Sequence, residues 1–295
     1  MKYPRNSIAK VKKWGGRASL IIFILLSSSL VQAQDEKTNE ADKKPAKAPF
    51  ESQQLMDLQS VVVPPAKTLE FNMQHRFGTV KNGISDLYGI YGSANIRMNF
   101  SYTPIENLAL GFGFTKFKRQ LDLNLKYAII KQRKDWSIPV SVTYFGNTAR
   151  DTRNTESFAK DVHRLSFYHE LNFASRINSK LSLQVTPSFT HYNAVDSLYK
   201  NDMIAVSIAG RYKFSSQSSI LVSYVQQLTG HNDPKFTLKP GVTIAWEIAT
   251  SGHAFQIFVT SFQGILPQEN IAYNSNDFFK GEFLIGFNIT RLWNF

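Results

Sequence analysis

The sequence of 295 residues contains no cysteine. Disulfide bonds, a thiolate zinc site and a lipid anchor on an N-terminal cysteine are therefore excluded. Outside the N-terminus, no apolar run is long enough to form a transmembrane helix. A membrane β-barrel predicts the same absence, because its strands alternate apolar with polar residues.

The basic excess, a formal net charge of +12, is concentrated at the N-terminus. Residues 1–17 carry six basic residues and no acidic one, residues 18–30 are mainly apolar, and the stretch ends in small residues at Ala33. This order predicts a secretory signal peptide over residues 1–33. Removing six of the 34 basic residues leaves 28 beside 22 acidic ones. No dense basic stripe remains that would bind nucleic acid.

Residues 34–67 are polar and rich in lysine, with four prolines. This composition predicts a flexible N-terminal segment in the periplasm. Within it, residues 50–63 carry Leu55, Met56, Leu58 and a run of three valines. That stretch is either a linker with an apolar patch, which the composition favours, or a short helix or docking segment.

From residue 68 to residue 295, strand-like segments follow one another without a convincing helix. Apolar residues alternate with polar ones, a period of two that predicts strands with different environments on their two faces. The alternation is interrupted by Leu221 and Val225 in one segment and by Phe258 in another. The twelve predicted strands cover residues 69–77, 94–100, 108–115, 120–129, 136–144, 164–173, 181–189, 204–214, 220–228, 242–248, 254–260 and 281–295.

The connections between these strands are sorted by length. Five are short, at residues 103–106, 131–135, 175–180, 215–217 and 250–252. They alternate with connections at residues 78–92, 116–119, 147–161, 193–200, 229–239 and 263–280, of which all but 116–119 are long. Bacterial barrels have short periplasmic turns and long outer loops. The sequence therefore predicts an all-β fold, a transmembrane antiparallel up-and-down barrel of about twelve strands over residues 68–295, in a Gram-negative outer membrane.

The last strand has its apolar row at Phe287, Ile289, Trp293 and Phe295. In a closed barrel it must pair with the strand at residues 69–77, so that no edge remains. Such aromatic-ended strands resemble those of clients of the barrel assembly machinery. That machinery and outer-membrane lipid are the expected partners, together with an unidentified solute or periplasmic partner.

Three short motifs carry a resemblance to a known family. Residues 75–78 read HRFG, residues 94–97 read ANIR and residues 122–127 read DLNLKY. The stretch from residue 75 to residue 132 resembles Bacteroidota outer-membrane proteins described as a membrane-bound β-barrel domain of unknown function. The resemblance implies a fold and a location, and it brings no assigned activity.

The inward positions of the predicted barrel carry charges of both signs. Their near balance argues against strong ion selectivity, and a barrel of twelve strands lies between filled and open sizes. The lumen is therefore either a polar pathway, which predicts a passive channel for a small solute, or a plugged interior, which predicts a structural or binding protein acting through its outer loops. The lumen candidates are Glu70, Arg76, Arg97, Asp122, Lys126, Arg164, Glu170, Arg211, Glu247 and Glu282.

A catalytic role has little support in the sequence. His163, with Ser166 and Glu170, is the nearest approach to a nucleophile–base arrangement. No two histidines have a ligand-like spacing on one polar face, and nothing indicates a metal or a cofactor. The outer loop at residues 147–161 mixes charges, a composition that suits carbohydrate or protein contact and also describes an ordinary solvated loop.

Overall fold

The computed structural model describes residues 40–154, 156 and 158–295. The predicted signal peptide, residues 1–33, lies outside them. Residues Ala41–Phe295 form one compact unit. No helix in the described part of the chain has the length and apolar character needed to cross a bilayer.

Twelve antiparallel strands close into a barrel in the order of the chain, which confirms the predicted fold and strand count. A two-stranded hairpin, β1 (Gln54–Leu55) and β2 (Leu58–Gln59), precedes them. An α-helix, α1 (Pro267–Tyr273), lies before the last strand. The barrel strands are β3 (Thr68–Thr79), β4 (Asn95–Ile105), β5 (Leu108–Thr115), β6 (Gln120–Ile130), β7 (Ser141–Asp151), β8 (Leu165–Arg176), β9 (Leu181–Tyr192), β10 (Asp202–Lys213), β11 (Ser218–Gln227), β12 (Gly241–Ala249), β13 (His253–Thr260) and β14 (Leu284–Asn294).

Short 3-10 turns occupy part of the remaining chain. They are Glu40–Lys43, Val80–Asn82, Ile84–Gly89, Phe117–Arg119, Asp161–Arg164 and Phe278–Lys280. All but the first lie in connections between barrel strands. They shape the connecting loops and leave the barrel wall entirely to strands.

The barrel closes between its last and first strands. Along this seam Trp293 pairs with Leu69, and Phe287 pairs with His75, whose ring stacks on the phenylalanine ring at 4.9 Å. Closure matters because an open strand edge in lipid would leave backbone hydrogen-bonding groups without partners. The predicted pairing of the terminal strand with the first barrel strand is confirmed.

Strand β6 shows how the sequence sets the two faces of the wall. Leu123 and Ile129 point outward and are 64% and 51% exposed, whereas Asp122 and Lys126 point inward and are 1% and 2% exposed. Apolar side chains face lipid because hydrocarbon offers no partners to polar groups. The polar half of the alternation therefore lines the interior.

The connections separate the barrel into two ends. The end with short connections, at residues 106–107, 131–140, 177–180, 214–217 and 250–252, is termed the turn end. The end with loops 80–94, 116–119, 152–164, 193–201, 228–240 and 261–283 is termed the loop end. Strand β3 starts and β14 stops at the turn end. The predicted alternation of short and long connections is therefore confirmed except at residues 131–140, a turn-end connection of ten residues where a short one over 131–135 was predicted.

The strand predicted at residues 136–144 is wrong in its position. Strand β7 runs from Ser141 to Asp151 and pairs with β6 along its whole length, with Asp151 opposite Gln120. Trp136 lies in the preceding turn with a φ of 59°, which a strand residue does not adopt. Alternation over residues 136–140 mimics a strand, but the length of the neighbouring strand decides where β7 ends.

The prediction of a flexible segment is wrong for residues 50–63. This stretch, termed the plug, lies inside the barrel, and Phe50, Leu55, Met56 and Asp57 are all at most 3% exposed. It contains the β1–β2 hairpin and approaches the barrel from the turn end. The lysine- and proline-rich flanks dominate the composition of residues 34–67 and conceal an apolar stretch that packs as a core.

The connection between β13 and β14, residues 261–283, also folds inward. Within this cap loop, Phe262, Leu266 and Gln268 are at most 1% exposed. The plug and the cap loop meet in one apolar cluster with residues of the wall. Wall members of that cluster include Phe145, Tyr168, Met203, Leu221, Val225 and Phe258.

Candidate functional site in the barrel lumen

Asp57, at the turn of the plug hairpin, has a carboxylate that is bonded to side chains of three barrel strands. One carboxylate oxygen accepts hydrogen bonds from Arg76 Nη2 at 2.6 Å and Nε at 3.2 Å. The other accepts from Thr243 Oγ1 at 2.7 Å and Thr260 Oγ1 at 2.8 Å. Both side chains of the ion pair are 0% exposed. Asp57 therefore joins the plug to β3, β12 and β13 at one point.

A second ion pair holds the plug nearer the turn end. Arg211 Nη2 donates to Glu51 Oε1 at 2.6 Å, and its Nη1 donates to the Pro49 carbonyl at 3.3 Å. Its Nε donates to Oε1 of Glu247, on strand β12, at 3.2 Å. Arg211 thus links the wall to the base of the plug.

Wall side chains also satisfy the backbone of the plug. Buried peptide groups need partners, and here they come from strands β6, β7, β9, β13 and β14. The contacts are Lys126 Nζ to Gln53 O at 2.9 Å, Thr143 Oγ1 to Val61 O at 2.9 Å, Gln184 Nε2 to Gln59 O at 2.8 Å, Asn288 Nδ2 to Met56 O at 2.9 Å, Gln256 Nε2 to Gln54 O at 3.1 Å and Met56 N to Gln256 Oε1 at 3.0 Å. These contacts fix the plug in one position inside the barrel.

Other lumen charges pair within the wall. Arg97 holds Asp122 with two hydrogen bonds, Nε to Oδ1 at 3.0 Å and Nη2 to Oδ2 at 2.7 Å. Asn147 Nδ2 donates to the same carboxylate at 2.9 Å. This arrangement braces β4, β6 and β7 without a hydrogen bond to the plug.

The remaining acids of the lumen also have polar neighbours. Glu170 accepts hydrogen bonds from Asn172 Nδ2 at 2.8 Å and from the Tyr168 hydroxyl. Lys126 interacts electrostatically with both Glu70 and Glu170. Positive and negative charges therefore lie side by side and do not separate onto opposite walls.

Two predicted lumen residues lie elsewhere. Glu282 belongs to the cap loop before β14 and pairs with Lys81 at 2.6 Å near the loop-end surface. Arg164 ends a 3-10 turn and donates to the carbonyl of Arg153 at 2.6 Å. The strand pattern was extended too far in both cases, because the alternation continues into loop residues that no longer pair as strands.

Deep in the lumen the plug leaves little free space beside it, whereas a cavity of about 190 Å³ remains at the turn end between Val62, Pro45 and Gln132. One cavity between Gln53, Glu70 and Arg97 holds about 10 Å³, and another between Asp57, Tyr168 and Ile271 holds about 10 Å³. Such volumes admit about one water molecule. In the described part of the chain, these gaps are too small for a solute to pass.

The residues with catalytic potential do not assemble into a site. Ser166 Oγ accepts from Gln268 Nε2 at 3.4 Å, whereas Glu170 is bonded deeper in the lumen. Among the hydrogen bonds of the described residues, none joins the His163 ring to either of them. The same residues contain no group of three His, Cys, Asp or Glu side chains placed to hold a metal ion.

The residues of the predicted assembly signal lie along the closing seam. Phe287 and Ile289 are half-buried on the outer face of β14, and Phe295 is 79% exposed at the turn end. Trp293 lies beneath the Arg291 guanidinium at 5.0 Å. Their recognition by the assembly machinery stays a prediction.

The sequence pattern did not single out Asp57 or Glu51, although both contact predicted wall arginines. The available signal was the three apolar residues on inward positions, Leu221, Val225 and Phe258. Apolar side chains are not expected to face a water-filled lumen. In the structure these three are buried in one cluster with the plug and the cap loop.

The sequence matches the family described as "Membrane bound beta barrel domain (DUF5777)" over residues 50–293. The match begins at the first residue of the plug, so the plug belongs to the matched domain. No curated protein matches the sequence. A closed barrel with an apolar outer face and this match place the chain in the outer membrane of a Gram-negative bacterium.

Several solved structures are similar in fold. An outer membrane channel from Pseudomonas putida F1 has a TM-score of 0.49 and 10% identity, over 79% of this chain and 97% of that one. The NanC porin has a TM-score of 0.45 and 8% identity, over 77% and 99%. The KdgM porin has a TM-score of 0.43 and 8% identity, over 77% and 99%.

Proposed function

We propose that this chain, which belongs to the family of membrane-bound β-barrel domains, is an outer-membrane channel for small polar solutes that its own plug holds closed. The observation that carries the proposal is a polar lumen wall that binds a separate chain segment by side-chain contacts. A wall built only to be filled would be stabilised better by apolar packing than by buried charges. The same charges suit a solute pathway once the plug is absent.

The path of the plug allows it to leave the lumen. Before the plug, Ala46 N donates to Gln132 O at 2.7 Å, and after it, Lys67 N donates to Thr103 O at 2.7 Å. Both contacts lie at the turn end, so the hairpin enters and returns through the same opening. It can withdraw without threading through the barrel. Removing a two-stranded hairpin, with strands about 4.8 Å apart, would open a space roughly 10 Å wide from the turn end up to the cap loop. The cap loop would at the same time lose its apolar partners on the plug and be free to move aside.

The open lumen would carry charges of both signs. Withdrawal of the plug removes Glu51 and Asp57 and leaves the charged residues of the wall in place. Because acids and bases alternate around the wall, weak selectivity among small ions is expected. The wall charges are Arg76, Arg97, Lys126 and Arg211 with Glu70, Asp122, Glu170 and Glu247.

Planar-bilayer recording tests this function. The refolded mature chain should be silent for most of the recording, and a variant that lacks residues 50–63 should give step conductance. Heat-modifiable gel migration verifies that both barrels are folded. A folded variant without the plug that gives no conductance would contradict the channel proposal.

A second function is favoured by one observation, a cavity of about 360 Å³ at the loop end. A barrel that never opens could act as a binding protein through this cavity. A silent barrel without its plug would support that function instead.

A further inference from the structure

The loop-end cavity lies between the barrel rim and α1. Its volume of about 360 Å³ falls within the range of small-molecule sites, about 300–1,000 Å³. Its walls combine charged, aromatic and amide side chains. They include Lys118, Gln120, Asp151, Arg153, Glu269 and Tyr273.

A second cavity of about 270 Å³ adjoins the first. Lys118, Glu269 and Tyr273 line both cavities. Lys118 Nζ lies 2.9 Å from Glu269 Oε2 and 4.8 Å from the centre of the Tyr273 ring. The ion pair and the ring form a partition between the two cavities. A ligand that fills both cavities would contact these three residues from both sides.

The lysine and arginine side chains that line the first cavity are each paired with a carboxylate. Lys118 pairs with Glu269, and Arg153 holds Asp151 through Nη2 to Oδ2 at 2.7 Å and Nε to Oδ1 at 3.1 Å. Burial raises the pKa of Tyr273, so its phenol stays neutral. The cavity offers polar groups in fixed positions, and among its described lining residues no lysine or arginine is left unpaired to attract an anion.

Buried polar atoms point to a ligand that both donates and accepts hydrogen bonds. Asn270, which is 4% exposed and lines the second cavity, has neither its Oδ1 nor its Nδ2 paired within the described residues. Gln120, which is 3% exposed, has its Oε1 likewise unpaired there. Unpaired buried groups are costly and uncommon. A hydroxyl-rich ligand would satisfy both kinds of group.

We propose that these adjoining loop-end cavities form a binding site for a neutral saccharide of one or two rings. Sugar hydroxyls donate to carboxylates and amide oxygens and accept from Lys118, Arg153 and Asn270. The C–H groups of a pyranose ring pack against an aromatic side chain, and Tyr273, which lines both cavities beside Lys118, supplies one. Binding at this site does not require the plug to move.

Titration calorimetry on the folded full-length mature protein tests the proposal. The probes are glucose, galactose, N-acetylglucosamine and maltose, with inorganic phosphate as the anionic comparison. At least one saccharide should bind, and phosphate should not. The substitution Tyr273→Leu should weaken that binding by roughly tenfold, because the ring contact is lost. Tyr88→Leu, the same change on another loop-end loop, should leave affinity unchanged.

A second substitution separates ligand contact from folding. Asn270→Leu removes two unpaired buried polar atoms, so it should raise the unfolding midpoint in urea while weakening saccharide binding. A role only in packing would move stability alone. The proposal is overturned if no saccharide binds the folded protein, if phosphate binds in its place, or if Tyr273→Leu and Asn270→Leu both bind like the wild type.

Discussion

Asp57 of the plug and Arg76 of strand β3 meet at 2.6 Å, and neither side chain is exposed to solvent. The acid also accepts hydrogen bonds from two threonines, Thr243 and Thr260. A buried ion pair adds little stability over an apolar pair of the same shape. Losing one partner, however, costs about 3–5 kcal/mol, because the other charge is left uncompensated. Asp57 is therefore the residue on which closure should depend most.

Asp57→Ala should open the channel. Arg76 stays in the wall and gains hydration only when the plug leaves, so the free energy that favours the seated plug should fall by about 3–5 kcal/mol. The open probability in planar bilayers should rise clearly above that of the wild type. Asp57→Asn, which keeps some of the hydrogen bonds, should have a smaller effect. A folded Asp57→Ala protein as silent as the wild type would show that this pair does not hold the plug.

Asp122→Asn should affect stability and leave the plug closed. Asp122 pairs with Arg97 inside the wall and has no hydrogen bond to the plug. Its loss leaves a buried guanidinium poorly compensated, so unfolding in urea should require about 3–5 kcal/mol less. The bilayer recording should remain silent. Step conductance in this variant would mean that wall pairing and plug release are not separate.

Gly241→Ala should loosen the cap loop. An added Cβ at Gly241 would overlap the ring of Phe262, a buried residue of that loop. Overpacking of this kind costs about 1–3 kcal/mol, and hydrogen exchange in residues 261–283 should become faster. Gly230→Ala is the control, because an added Cβ there meets nothing within 4 Å. Equal exchange in the two variants would exclude a tight fit between Phe262 and the wall.

The sequence predicted the barrel well because two solvents act on its wall. Each outward position must be apolar because it faces lipid, as Leu123 does. This local requirement appears in the sequence as alternation. The position of β7 was harder to predict, because its end at Asp151 is fixed by the partner strand β6. The pairing of two strands depends on both segments, so it cannot be predicted from the alternation within one of them.

The sequence predicted which strand residues line the lumen, but it did not predict which segment fills it. Alternation alone placed Arg76 and Arg211 on the inner face, where they are buried. Their partners Asp57 and Glu51 lie in a segment whose average composition is that of a linker. The available signal for an apolar segment in the interior was the inward position of Leu221, Val225 and Phe258. Which segment fills it depends on packing in three dimensions.

Deleting residues 293–295 should impair membrane insertion more than it alters a finished barrel. The deletion removes the pairing of Trp293 with Leu69 and the bond from Phe295 N to Lys67 O at 3.1 Å. It also removes the end of the strand that we expect the assembly machinery to recognise. The amount of barrel in outer-membrane fractions should fall, whereas Phe279→Ala, at an 86% exposed phenylalanine of the cap loop, should not change it. Normal membrane levels of the truncated protein would contradict this role.

Cysteine labelling at Met56 tests most directly whether the plug occupies the lumen. The chain has no cysteine, so Met56→Cys introduces a single thiol at a position that is 0% exposed, and Ile84→Cys introduces one at a position that is 73% exposed. With a membrane-impermeant maleimide, the folded Ile84→Cys protein should react quickly and the folded Met56→Cys protein slowly. Adding Asp57→Ala should speed the reaction at position 56. Equal reaction rates of the two single variants would contradict a plugged lumen.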